Sequence, residues 1–299
     1  MTYEKFEKEV IKELKKSYGK DVQIEPMERL KNNDVVLHGV LIRHKKPDGK
    51  SEVAPAIYLD GYYEKYGGDV EQTVRDIMET ANCSISSEGV QEFSKALLKW
   101  ETAQKYVFPA LLNTEDNRKL LETLVYEQFL DLSIIFIVRQ VADSNGFLCT
   151  KVTKQLIESW GITPKDLRDK AFRNMRNEGY SFMDMQEVLC KQLDYDGQLI
   201  DEMVAPGKMM VLTNKNCYWG AVCIADSDLL AEKLGEKNYY ILPSSIHEVI
   251  AVDDDGKVDA EQFSGMINDV NNGILDRESV LAGHSYYYDG KKQELRVCA

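Results

Sequence analysis

The sequence is poor in histidine and proline, and its cysteines are not grouped. It has four histidines, seven prolines and six cysteines among 299 residues. No two cysteines form the C-x-x-C pair of redox and zinc-binding motifs. A chain of this length can bury a sizeable core without disulfide bonds or a structural metal. We therefore expect six reduced thiols, as in a protein of the cytoplasm.

Long apolar segments and phosphate-binding loops are also missing. The longest apolar run, Leu132 to Val138, is too short to span a bilayer. The first residues, Met1 to Glu7, lack the basic region followed by an apolar stretch that is typical of a secretory signal. Neither a Walker loop nor G-x-G-x-x-G occurs. We expect no membrane segment and no cofactor.

Positive charge is scarce, since the sequence has 37 basic residues but 50 acidic ones, which gives a net charge of −13. Duplex DNA and anionic lipid repel such a surface. The most basic stretch contains Lys165, Arg168, Lys170, Arg173 and Arg176, and acidic residues interrupt it. We interpret it as a solvated helix face. The sequence predicts no generic nucleic-acid binding, leaves a protein partner possible and leaves the oligomeric state open.

The order of patterns predicts an α+β protein with mainly antiparallel sheets and flanking helices. Residues 1–104 form a first α+β unit, 105–193 a second and 206–299 a third. Residues 194–205, which hold Asp196 and Gly197, are predicted to be a linker or long loop. Within the third unit, strands are predicted for Tyr218–Ala225 and Ile246–Val252.

The first two units invite comparison as an internal duplication of a β-β-β-α-α unit. Each has strands, a turn, a helix, a glycine break and a second helix, and Gly161 lies 94 positions after Gly67. The same offset relates five pairs of residues: Tyr63 and Ile157, Tyr66 and Trp160, Gly67 and Gly161, Asp69 and Thr163, and Ile77 and Ala171. Repeats of supersecondary units build larger folds. A chance match of two similar units is the alternative.

The candidate catalytic residues are Ser244, Ser245, His247 and Glu248, which lie together in the segment Ser244 to Glu248. Ser245 and His247, with an acid from elsewhere, contain the side chains of a hydrolase site. Neighbours in sequence rarely meet in the geometry of a catalytic triad, however, and no glycine-flanked nucleophile elbow is present. We favour a structural role, in which His247 is packed and hydrogen-bonded near a strand end.

No set of metal ligands emerges from the spacing. A zinc protease helix needs a second histidine four positions after His247, where Ala251 stands. The acidic turns around Gly197 and Gly256 lack the first and last ligands of a calcium loop. His38 and His44 lie on one strand at an even spacing, but two ligands are too few. We therefore expect no metal.

Tyrosines are concentrated at two places. One group is Tyr58, Tyr62, Tyr63 and Tyr66, and the other is Tyr286, Tyr287 and Tyr288. Tyrosine suits binding surfaces because it joins a flat apolar body to a polar tip. At strand or helix spacing it is also ordinary half-buried packing, which we take as the default interpretation.

Four short motifs stand out: Tyr3-Glu4-Lys5-Phe6, Tyr58-Leu59-Asp60, Leu112-Asn113-x-Glu115-x-Asn117 and Leu242-Pro243-Ser244-Ser245-Ile246-His247-Glu248. With these motifs the chain resembles an uncharacterised family of bacterial proteins from anaerobic gut Firmicutes. The likeness covers nearly the whole chain, and the last motif is the most specific. The family is labelled a domain of unknown function. The resemblance implies a bacterial cytoplasmic protein and brings no activity, cofactor or catalytic residue.

Two functions follow as hypotheses. The first is a non-enzymatic binding or regulatory module, since phosphate loops, metal sets and an obvious acid–base centre are missing. The second is a hydrolase-type enzyme that uses Ser245 and His247. A deep pocket that joins these two side chains favours the enzyme, and an exposed aromatic patch favours the binding module.

Overall fold

The computed structural model describes residues 1–44, 56–85, 88–142, 146–188, 209–257 and 260–298. The helices are α1 (Tyr3–Tyr18), α2 (Asp60–Tyr66), α3 (Val70–Ile85), α4 (Glu88–Ala96), α5 (Trp100–Ala103), α6 (Arg118–Leu121), α7 (Lys154–Trp160), α8 (Pro164–Glu178), α9 (Ser227–Leu234) and α10 (Ala260–Gly273). The strands are β1 (Val22–Leu30), β2 (Val36–His44), β3 (Ala56–Tyr58), β4 (Val107–Asn113), β5 (Tyr126–Phe129), β6 (Leu132–Ala142), β7 (Gly146–Lys151), β8 (Tyr180–Asp184), β9 (Met209–Asn214), β10 (Tyr239–Pro243), β11 (Val249–Asp253), β12 (Tyr286–Asp289) and β13 (Glu294–Val297). The α+β prediction is confirmed, because the sheets are antiparallel and helices flank them.

The chain divides into two compact units. Unit 1 comprises residues 1–31, 35–99 and 141–148, and unit 2 comprises 32–34, 100–140 and 149–299. The predicted boundaries near residues 104 and 193 stay predictions, and the predicted linker 194–205 lies outside the described residues.

Unit 1 is built on the antiparallel sheet β1-β2-β3. Helix α1 places Phe6, Val10 and Leu14 on one buried face because they recur at helical spacing. They pack with Ile42 and Ile77 in one core. Gly19 then ends α1 in a left-handed conformation, as its sequence position predicts.

Unit 2 contains the six-stranded sheet and most of the second sheet. The six-stranded sheet has the order β13-β12-β10-β11-β9-β8, and the second sheet has the order β4-β6-β5, with β7 also paired to β6. Pro109 fits β4 because β4 is an edge strand, where a missing N–H is tolerated. The predicted start of α8 is confirmed, since Thr163 and Asp166 form a reciprocal capping box and Pro164 follows the cap.

The two segments compared as a duplication share their order of elements. Three strands, a short helix, a left-handed glycine and a longer helix occur as β1-β2-β3-α2-Gly67-α3 and as β5-β6-β7-α7-Gly161-α8. The sheets differ, because β1 and β3 flank β2, whereas β6 also pairs with β4. The duplication stays a prediction.

Two local predictions were wrong, and one strand was missed. Residues 220–225 form a buried 3-10 helix rather than a strand, because Trp219 enters it in a left-handed conformation. The strand predicted from Ile246 begins at Val249, and the preceding five residues form a loop. Strand β4 was not predicted at all. None of the helices in the described ranges combines the length and apolar content that a membrane crossing requires.

Candidate functional site

The loop Ser244–Glu248, which we call the SSIHE loop, joins two antiparallel strands. Pro243 at the end of β10 pairs with Val249 at the start of β11. The Ser245 N–H donates to the Glu248 carbonyl at 3.2 Å, and the Ser245 hydroxyl accepts the N–H of His247 at 3.0 Å. The polar groups of Ser245 therefore close the turn.

The His247 ring lies against the segment that follows β9. Its Nδ1 accepts the backbone N–H of Trp219 at 3.1 Å, and its plane stacks on Tyr218 with centroids 5.3 Å apart. The His247 carbonyl accepts the Gly220 N–H at 2.9 Å and the Thr213 hydroxyl at 2.7 Å. An acceptor at Nδ1 places the proton of the neutral ring on Nε2.

The segment beneath the ring has an uncommon backbone. Cys217 and Trp219 both adopt left-handed conformations, with φ of 51° and 56°. The Asn214 side chain holds the segment, because it accepts the Tyr218 N–H and donates to the Tyr218 carbonyl. A Cβ on Gly220 would lie 2.0 Å from the Thr213 hydroxyl. Only glycine fits at this close approach.

The surroundings of this site favour the neutral forms of the His247 imidazole and the Cys217 thiol. Burial lowers the pKa of His247, and burial together with the nearby Glu248 carboxylate raises the pKa of the Cys217 thiol. A cysteine nucleophile requires the opposite, a thiolate beside a protonated histidine. The arrangement stabilises a fold more readily than it activates a thiol.

The four candidate catalytic residues are therefore close together but not arranged as a serine–histidine pair. The nitrogen Nδ1 of His247 faces the Trp219 backbone, and the Ser245 hydroxyl faces the His247 backbone. The Ser244 hydroxyl lies 3.4 Å from the Glu248 carboxylate. The described hydrogen bonds of the loop are those of a tight connection between two strands.

A second cluster joins residues that the sequence analysis did not connect. Nε2 of His284 lies 3.0 Å from the Asp131 carboxylate, and the Tyr286 hydroxyl donates to the same carboxylate at 2.9 Å. Despite this short distance, the contact of His284 Nε2 does not have the geometry of a hydrogen bond. Burial acts to raise the pKa of Asp131, but the contacts with His284 and Tyr286 outweigh burial and lower it.

A third cluster lies between α8 and the start of α9. Arg176 binds the buried Asp226 carboxylate with two hydrogen bonds of 2.8 Å, and Tyr180 donates to it at 2.7 Å. Asp226 also caps α9. The partners in this cluster and in the previous one are tens of residues apart in sequence, so no local pattern indicated either pairing.

The other two histidines noted in the sequence, His38 and His44, belong to unit 1. The two ring nitrogens of His38 are 3.7 Å from Glu28 and from Asp60. His44 ends β2, and its side chain lies outside the described residues. Within the described ranges, no group of three or more His, Cys, Asp or Glu residues has the arrangement of a metal site.

The two tyrosine groups have different surroundings. Tyr286 and Tyr288 are fully buried, and Tyr287 donates to Asp254. Tyr58 and Tyr62 are half-buried and line a cavity of about 470 Å³ in unit 1, which we call the tyrosine cavity. Its other lining residues are Gly61, Lys65, Asp76, Glu79 and Thr80.

The fold and these clusters define an α+β protein of antiparallel sheets whose family motif forms a tight loop. The chain belongs to a family of unknown function (DUF5688), whose model matches residues 3–290. The predicted membership of an uncharacterised family is thereby confirmed. No curated protein and no solved structure matches the chain.

Proposed function

We propose that the chain is a non-enzymatic binding module and that the tyrosine cavity is its ligand site. The supporting observation is the cavity itself, about 470 Å³ in volume and walled by the half-buried rings of Tyr58 and Tyr62. This volume falls within the range of small-ligand pockets, which combine aromatic walls with a few polar groups.

The ligand that suits this cavity carries a positive charge, such as a lysine or arginine side chain of a partner protein. Lys31 lies 4.4 Å above the Tyr58 ring, and Lys65 lies 4.7 Å above the ring of Tyr66, which is outside the cavity lining. Tyrosine faces in this region therefore already hold ammonium groups, and Tyr62 is the ring that we assign to an incoming cation. The net charge of −13 would also draw a cationic partner toward the protein.

Two carboxylates in the cavity strengthen this preference. The hydrogen bond from Tyr66 lowers the pKa of Asp76, and Gln72 also donates to this carboxylate. Asp76 therefore stays ionised, and Lys65, whose Nζ lies 4.0 Å away, already balances part of its charge. Glu79 is exposed, and it forms no ion pair with a Lys, Arg or His among the described residues. Its carboxylate is the one best able to pair with an incoming cation.

The hydrolase alternative has less support. It needs the His247 ring to accept a proton from a serine hydroxyl. The ring instead accepts from Trp219, and the pKa of His247 is lowered by burial alone. The SSIHE loop is better explained as a structural element.

The test uses a fluorescent oligolysine peptide and anisotropy titration. Tyr62→Leu removes the ring and should weaken binding roughly two- to fivefold, whereas Tyr62→Phe keeps the ring and should bind like wild type. Glu79→Lys should weaken binding further. The matched control is Glu101→Lys, which makes the same charge change at an exposed residue of unit 2. Equal losses for both lysine variants would mean generic attraction and would refute the site.

A further inference from the structure

Strand β13 presents an unpaired edge. It ends the six-stranded sheet, and no strand in the described ranges pairs with its outer side. The Cys298 N–H donates to the Ser285 carbonyl at 3.1 Å, so Cys298 and Ser285 form a hydrogen-bonded pair. Hydrogen-bonded and non-hydrogen-bonded pairs alternate along an antiparallel ladder, and this contact therefore fixes which residues of β13 bond to β12. Leu295 and Val297 then occupy non-hydrogen-bonded positions against β12, so their N–H and C=O groups point outward.

The two faces of β13 differ in character. Leu295 and Val297 lie opposite the buried Tyr288 and Tyr286, so their side chains share the core face of the sheet. Glu294 and Arg296 lie on the other face, where the Arg296 guanidinium stacks 4.7 Å from the Tyr287 ring centroid. The exposed edge therefore combines an apolar face with a face of opposite charges.

A cavity of about 300 Å³ with an apolar part lies at this edge, lined by Leu295 of the core face and by Glu294 and Arg296 of the other face. Phe129, Ile224, Leu230 and Leu295 contribute its apolar lining. Charged and polar residues of the β12–β13 hairpin, among them Lys292 and Gln293, complete it. A strand added beside β13 would place its own core-facing side chains over this cavity.

We propose that β13 is a self-association edge and that its occupant is β13 of a second copy. In an antiparallel pair with Leu295 on the twofold axis, the outward N–H of each Leu295 donates to the outward carbonyl of Leu295 in the other copy. Glu294 then lies opposite the second copy's Arg296, and Arg296 opposite its Glu294. The six-stranded sheets become one continuous sheet, and the second copy's Leu295 lies beside this cavity.

The charge pattern favours a second copy in this register. Opposite charges directly across a strand pair stabilise it, and like charges destabilise it. Both cross-strand pairs unite Glu294 with Arg296, so the edge is complementary to itself. A shift of the second strand by two residues brings Arg296 opposite Arg296. Because β13 has only four residues and each chain carries −13, we expect a weak, reversible dimer.

The main test is analytical ultracentrifugation of the full chain from micromolar to millimolar concentration. Glu294→Arg and Arg296→Glu each create two like-charge pairs and should raise the dimer dissociation constant roughly tenfold. The double swap, Glu294→Arg with Arg296→Glu, should restore wild-type association. A chain that is monomeric throughout the series, or a dimer that is indifferent to both single changes, would overturn the proposal.

Oxidative cross-linking gives an independent readout of the register. Leu295→Cys places two thiols across the axis at a Cα separation of about 5.5 Å, which a disulfide bond can span. In Arg296→Cys the two copies of the residue lie about 8 Å apart, beyond that reach. We expect a covalent dimer from the first variant in excess of wild type. More dimer from the second variant would contradict the register.

Discussion

At the scale of single residues, the properties of His247 follow from its three kinds of contact. Its ring nitrogen and carbonyl accept hydrogen bonds from β9 and from the residues after it, and its N–H donates within the SSIHE loop. Tyr218 and Trp219 cover the ring. The residue connects two segments that are separated by about thirty positions in sequence.

His247→Ala should therefore lower the free energy of unfolding by roughly 1–3 kcal/mol, because the Trp219 N–H loses its acceptor and the stacked ring is removed. Chemical denaturation measures this change. His247→Asn offers a side-chain oxygen in place of Nδ1 and should recover part of the loss. Ser244→Ala is the control within the same loop. An unchanged stability of the alanine variant would contradict the structural role.

The same residue should make stability depend on pH. Because burial lowers the pKa of His247 in the folded state, the unfolded chain binds this proton more readily. The stabilisation is complete above the ordinary histidine pKa of about 6.5 and is lost as the pH falls below it. Asp131 and Asp226, whose pKa values are also lowered, lose their contribution only in the more acidic carboxyl range.

Unfolding measured at several pH values between neutral and about pH 5 separates these contributions. The difference in unfolding free energy between wild type and His247→Asn should shrink as the pH falls. A constant difference over this range would show that the protonation of His247 does not affect stability.

At the scale of elements, the turn into the 3-10 helix at 220–225 depends on one glycine. A Cβ at Gly220 would lie within 2.7 Å of the Thr213 hydroxyl, the Asn214 nitrogen and the His247 carbonyl. Two of these are backbone atoms, which cannot move aside independently of β9 or the SSIHE loop.

Gly220→Ala should thus cost about 3 kcal/mol or more. Gly265→Ala in α10 is the matched control, because nothing lies within 4 Å of its added Cβ. It should stabilise the protein by about 0.5–1 kcal/mol through the higher helix propensity of alanine. Thermal melts of both variants make the comparison, and a Gly220→Ala protein as stable as wild type would contradict this geometry.

Elements with local signals were the ones that the sequence predicted well. The helix caps at Thr163 and Gly161 and the β12–β13 hairpin each depend on a few neighbouring residues, so the sequence alone predicts them. The strand predicted for Tyr218–Ala225 failed because its apolar residues have the composition of a strand, while Trp219 and Gly220 turn the backbone. That turn depends on Thr213 and His247, which are distant in sequence.

The candidate sites also include residues that local sequence patterns indicate and contacts that they do not. The sequence identified the residues of the SSIHE loop as candidates, although it placed His247 on a strand. It also identified the first tyrosine group, since Tyr62 and Tyr66 follow helical spacing. It did not identify the contacts of Asp131 with His284 or of Arg176 with Asp226, which depend on tertiary structure. In another motif noted in the sequence, Asn117 donates a buried hydrogen bond to Asn33 and Asn113 donates a partly buried one to Leu281, and only the fold reveals these contacts.

At the scale of the whole molecule, the negative charge is not offset by the basic stretch of α8. Lys165 pairs with Asp169, Arg168 with Glu127 and Arg176 with Asp226. These ion pairs occupy cationic groups that phosphates would otherwise contact.

We accordingly expect no binding to random duplex DNA at about 0.15 M salt, because nonspecific affinity comes from uncompensated basic groups. Anisotropy titration of a labelled duplex checks this, with a short oligolysine peptide as a positive control for DNA binding. Sub-micromolar affinity at this salt concentration would contradict the expectation.

The position of Trp219 gives the protein an intrinsic optical probe. Only 6% of this residue is exposed, and its indole lies beside the imidazole of His247. Trp100 and Trp160, the other two indoles, contact each other. With both replaced by phenylalanine, the fluorescence emission of the remaining indole would report on the hydration of this one loop. Opening of the loop would then be visible as a red shift, even while the rest of the chain stayed folded.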